Sequence, residues 1–232
     1  MNSKVFAKVA FIAIFSTIST AAIFAQTHYK LGFSLGSNYS SVRSDLFTTS
    51  SGRLSTAVGF NVNLGFGDRF ELTPEIMFTQ KGATIQTVVF NPENKPTVGT
   101  YNFYYNTFEA GVFAGYQPIA NVPVRVQAGA FFGSHFHNLD RSERDEYVGD
   151  YNNIVNATQV TLLNESLSGL DFGPAFGVSA GAGRFNVSAR YYMGARNLYE
   201  NLAFAPQGHN IRTSSLRLTM TYYFKHKSSW ED

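Results

Sequence analysis

The chain has 232 residues, with 22 Phe, 13 Tyr and 20 Gly, and only 15% of its side chains are charged, well below the roughly one quarter usual in soluble domains. Mean hydropathy is nevertheless −0.12, which excludes a bundle of apolar helices and fits strands whose lipid-facing and inward residues cancel in the average. No Cys is present, so disulfide scaffolds, thiolate metal sites and a lipidated cysteine are excluded.

Residues 1–25 read as a secretory signal peptide. Lys4 and Lys8 form a basic start, an apolar run from Val9 to Phe24 follows, and Ala25-Gln26 offers a cleavage point. The run is shorter than the roughly 20 residues a spanning helix needs. Removing it takes away two lysines and no acid, which leaves 16 basic and 16 acidic side chains. No basic arm for nucleic acid remains.

Strict alternation of apolar and small or polar residues then recurs along the chain, the mark of strands with two different environments. A first strand over 28–38 places Tyr29, Leu31, Phe33 and Leu35 opposite Lys30, Gly32, Ser34 and Gly36. After a loop at 40–52, a strand over 54–66 turns at Gly67-Asp68 into one over 70–81, where Phe70, Leu72, Ile76 and Phe78 oppose Glu71, Thr73, Glu75 and Lys81. Pro74 stands on the apolar face, where a bulge or distortion is expected. A second long connection is expected over 84–99, from its Asn-Pro and Lys-Pro pairs. Strands over 101–116 and 122–133 follow, with Glu109, Gly111 and Phe113 on one inward face and Arg125, Gln127 and Phe131 on the next.

The charged stretch 138–168 is too long for an ordinary connection and reads as a functional loop. Strands over 170–181 and 185–193 carry Asp171 and Arg190 on their small-residue faces, and a loop over 198–212 leads to the last strand, 214–224. There Leu216, Leu218, Met220, Tyr222 and Phe224 alternate with Ser215, Arg217, Thr219, Thr221 and Tyr223. About eight strands result, and connections alternate long and short. Outer-membrane barrels have this pattern, because turns are tight on the periplasmic side and loops grow outside.

The competing architecture is a soluble barrel or sandwich with apolar faces inward. An eight-stranded bore has just enough room for its inward side chains, and the small, polar faces suit it far better than most of the Phe, Tyr and Leu. The expected fold is therefore an all-β, transmembrane, antiparallel up-and-down barrel over 26–224, with a short tail at 225–232, in the outer membrane. Lys30, Glu71, Glu75, Lys81, Glu109, Arg125, Asp171, Arg190 and Arg217 are expected to form a charge network in the lumen, each with partners, since unpaired buried charge is costly. Tyr29, Phe66, Phe70, Tyr116, Phe185 and Phe224 are expected to form an interfacial girdle at the tight-turn end.

Several segments resemble an outer-membrane β-barrel family of Bacteroidetes that includes the PorT-type proteins. They are Leu72 to Gly82, Phe108 to Tyr116, Leu170 to Gly183, Ala189 to Leu198 and the closing strand ending at Phe224. The resemblance implies an outer-membrane barrel of about eight strands; the secretion role of PorT itself does not follow from barrel motifs.

Ser134, His135 and His137 sit near the acidic loop and raise lipid modification by nucleophilic catalysis, but Ser134 and His135 point to opposite faces of a strand. No catalytic residue, metal site or cofactor is expected. The expected partners are outer-membrane lipid and an envelope protein bound through the loops, chiefly 138–168, with no nucleic acid. A narrow pore or transport and secretion accessory is the alternative, and a lipid-modifying enzyme a more distant one.

Overall fold

In the computed structural model the described residues are 28–44, 49–90, 95–136, 169–198 and 210–224. They form eight strands: β1 (His28–Ser44), β2 (Thr49–Phe66), β3 (Phe70–Phe90), β4 (Pro96–Tyr116), β5 (Val124–Phe136), β6 (Leu170–Ala182), β7 (Phe185–Met193) and β8 (Ile211–Tyr223). Each pairs antiparallel with its neighbours in sequence, and β1 pairs with β8 to close the barrel. Closure leaves no edge in the membrane zone, which is what a sheet in lipid requires.

The alternation in sequence becomes a sorting between outside and inside. Leu31, Phe60, Phe78, Phe108, Val126, Phe176, Val187 and Leu218 are exposed around the whole circumference. The inward positions between them are buried, among them Ser34, Asn61, Thr79, Glu109, Ser188 and Thr219. On β3 the apolar outer residues run from Phe70 to Phe78 and stop at Gln80; on β4 they run from Tyr116 to Phe108 and stop at Asn106. Each band spans about nine residues, the length a tilted strand needs to cross a bilayer. Turns at the near end are tight. Gly67 and Gly183 both adopt φ 61°, a left-handed conformation that side chains other than Gly resist. Gly129 serves a different need: a Cβ there would overlap the carbonyl of Val112 and the Phe113 side chain, so its absence lets β4 and β5 approach with Phe113 inside.

Several expected boundaries are corrected. The connections read at 40–52 and 84–99 are mostly strand. β1 and β2 pair as far as Ser40 with Arg53, and β3 and β4 pair without interruption to Phe90 with Pro96. Beyond the apolar band these ladders continue in water, where backbone pairing needs no alternation of side chains, so the sequence signal ends before the strand does. β5 begins at Val124 rather than 122 and β8 spans Ile211–Tyr223. No bulge forms at Pro74. Its pairing with Val112 is kept, pairing to β2 lapses opposite Thr73 and Pro74, and the same register resumes at Leu72 with Leu64. The shift of register lies instead between Gly52 and Ala57 of β2. The signal peptide, the 138–168 loop, His137 and the tail lie outside the described residues.

Candidate functional site

The lumen is the one place where charge is concentrated among the described residues, and its geometry follows from which strands face each other across the bore. Glu75 on β3 meets Arg190 on β7 (Nη1–Oε2 2.6 Å) and, more loosely, Arg217 on β8 (Nη1–Oε1 3.8 Å). The Tyr192 hydroxyl donates to Glu75 Oε1 at 3.2 Å and accepts from Arg217 Nη1 at 3.2 Å. Glu109 on β4 binds Lys81 (Nζ–Oε1 2.5 Å) on one oxygen and Arg217 Nη2 on the other.

Toward the tight-turn end the same path continues. Arg190 Nε donates to Gln127 Oε1 at 2.7 Å, and Gln127 Nε2 donates to Glu71 Oε1 at 3.0 Å. Asn63 donates to Glu71 Oε2 at 2.7 Å, and Arg125 Nε lies 3.3 Å from that oxygen. A continuous polar chain thus runs from Arg125 to Lys81 through six strands, β2, β3, β4, β5, β7 and β8. Aromatic rings fill the space between charges. The Arg190 guanidinium lies 4.1 Å from the Phe113 centroid, that of Arg217 4.2 Å from Tyr192, and the Lys81 ammonium 5.0 Å from Phe131. Phe113 and Phe131 both meet Tyr192 edge-on. Desolvated cations over ring faces gain about 2 kcal/mol or more each, which helps offset the cost of taking them from water.

Seven of the nine charges expected in the lumen are therefore joined in one network. Asp171 is fully buried and accepts from Thr213 Oγ1 at 2.7 Å, with no ion pair among the described residues. Lys30 is exposed at the tight-turn mouth, its ammonium 6.0 Å from the Tyr223 ring centroid, and makes no ion pair among the described residues. Sequence reasoning overlooked Tyr192, Gln127 and Asn63 as members. Their signal was present, since all three fall on inward positions in phase with the charged residues.

At the other end of the lumen, residues just past β7 stay bonded to both neighbouring strands, and Ala195 N donates to Phe172 O at 2.8 Å. Gly194 N donates to Thr213 O and Leu198 N to Ile211 O, each at 2.9 Å. Leu198 and Ile211 are fully buried and Val42 nearly so.

The girdle residues all lie at the tight-turn end on the outer face. Phe66 pairs with Phe70, and Phe70 stacks on Tyr116 at 4.9 Å. Phe185 and Phe224 are joined through Tyr222, at 5.3 and 5.8 Å, a member the sequence reading left out. Tyr29 is exposed on the same rim.

No nucleophile–base pair of Ser134 and His135 forms. Ser134 is exposed on the outer face, while His135 is buried, with Nδ1 3.0 Å from Thr107 Oγ1 and its ring edge-on to Tyr105. Among the described residues no group of three or more His, Asp or Glu is arranged to hold a metal.

Fold and lumen together define a closed transmembrane β-barrel of eight strands. Residues 23–200 match the model of the outer membrane protein beta-barrel domain, and the chain belongs to that family, with the outer membrane as its location. Among solved structures it is similar to Ail, the attachment invasion locus protein of Yersinia pestis (12% identity, 85% of this chain and 99% of that one, TM-score 0.43). It is also similar to Neisserial surface protein A (12% identity, 84% and 97% covered, TM-score 0.40) and to OprG of Pseudomonas aeruginosa (9% identity, 86% and 96% covered, TM-score 0.38). No curated protein matches the chain in sequence.

Proposed function

We propose that this protein is a non-enzymatic, non-conducting outer-membrane anchor that binds a partner or ligand through its outward connections, chiefly 138–168, or supports an envelope complex. The observation that carries this reading is the lumen itself. A polar chain of ion pairs and hydrogen bonds from Arg125 to Lys81 crosses it, and Leu198 and Ile211 are buried at its far end, which points to the outer surface as the working part. The strands support the same view. β3 and β4 are 21 residues each, against roughly 9–11 needed to cross the bilayer, so about half of each stands beyond the membrane on the long-connection side. A two-stranded platform there suits recognition better than it suits transport.

Deleting 138–168 should abolish cross-linking of the protein to its partner on intact cells, while the heat-dependent shift of the barrel in SDS gels is kept. A cross-linking pattern unchanged by that deletion, and by shortening the β3–β4 hairpin, would show that recognition lies elsewhere.

A further inference from the structure

The tight-turn mouth of the lumen holds a recess of about 150 Å³ lined by Lys30, Asn63, Glu71, Arg125, Asn186 and Tyr223. Its charge is uneven. Deeper in the lumen Lys81, Arg190 and Arg217 each have a close carboxylate. At the mouth two cations share one. Both oxygens of Glu71 are already engaged, Oε1 by Gln127 and Oε2 by Asn63, and Arg125 reaches Glu71 only in a loose pair at 3.3 Å. Lys30 has no carboxylate among the described residues, and Arg125 remains 25% exposed. A guanidinium and an ammonium around a small open recess form a receptor for an oxyanion, the former by its planar fork and the latter as a mobile point charge.

The position selects the oxyanion. Phe185 lines the recess and also belongs to the aromatic girdle, and girdles sit at headgroup level. The recess therefore opens at the depth of phospholipid phosphates on the periplasmic leaflet.

We propose that this mouth is a binding site for one phosphate group, held by Lys30 and Arg125, presented by a phospholipid headgroup or by a soluble phosphate. Neither the partner reading nor the sealing of the lumen depends on it.

The test uses the full barrel in non-ionic detergent micelles, with backbone amide resonances of Gly181, Gly183 and Asn186 as reporters. One arm titrates inorganic phosphate and the other mixes phosphatidylglycerol into the micelles. Saturable shifts at these amides in either arm are expected, and the arm that responds names the source. Lys30→Gln with Arg125→Gln should weaken the response at least tenfold, whereas Arg43→Gln, at the opposite end of β1, should leave it unchanged. If the double variant fails to give a heat-shifted barrel, Lys30→Gln alone should weaken binding several-fold, since Lys30 is exposed and makes no ion pair among the described residues. Absence of saturable shifts in both arms, or equal shifts in the lysine variant and the wild type, would overturn the assignment.

Discussion

Replacing Glu109 by Gln is expected to destabilise the barrel by about 3–5 kcal/mol, the range for removing one partner of a buried ion pair. The reason is the position of Lys81. It is 1% exposed, and Glu109 is its only ion-pair partner among the described residues, at 2.5 Å. Gln preserves shape and volume, so the loss isolates charge: the buried ammonium is left without an ion pair among the described residues, with the Phe131 ring beside it. Arg217 also loses its closest partner but retains Glu75 and the Tyr192 hydroxyl. Adding Lys81→Met should therefore recover most of the loss, because the orphaned charge goes with it. The reverse substitution, Arg217→Met, should cost less than Glu109→Gln, since Glu109 keeps Lys81 and Glu75 keeps Arg190. Urea midpoints of the heat-shifted form measure all four proteins. Equal stability of the Glu109 variant and the wild type would mean that the lumen is wet enough to solvate Lys81 unaided.

Introducing Arg at Val112 should cost about 2–4 kcal/mol, and introducing it at Thr56 about 0–1 kcal/mol, because the penalty for a cation on the lipid face depends on depth. Val112 is outward, at the centre of the apolar band of β4, whereas Thr56 is exposed where the band of β2 ends. The comparison, made by refolding into vesicles, tests orientation as well as depth. Were the apolar faces packed as an internal core, a cation at either position would be judged by packing rather than by distance from the bilayer centre. Equal penalties at the two sites would contradict the lipid-facing assignment.

The faces of the strands were legible in sequence because one residue in two must tolerate lipid and its neighbour must fit a narrow bore. That constraint placed Glu109, Arg217 and Arg190 inside before any pairing was known. Which charge meets which was not legible. Glu109 and Arg217 lie 108 residues apart, and their meeting depends on the register of every strand between them, which no local pattern records. Lys30 and Asp171 show the same limit from the other side: both sit on the inward face, yet depth places one at the open mouth and the other hydrogen-bonded to Thr213 with no ion pair among the described residues. The ends of β1 to β4 were missed for a separate reason. Past Gln80 and Asn106 the hydrogen-bond ladder goes on but lipid no longer dictates side chains, so strand and loop look alike.

The claim on which the functional reading rests is that the lumen is sealed, and conductance of the purified protein in planar lipid bilayers tests it most directly. The account predicts no steady current at moderate voltage, because Arg217, Glu109, Lys81, Tyr192, Glu75 and Arg190 are buried in the bore and bonded to one another across it. A large and steady conductance from the unmodified protein would contradict it, and would move the function from the outer surface to the pore.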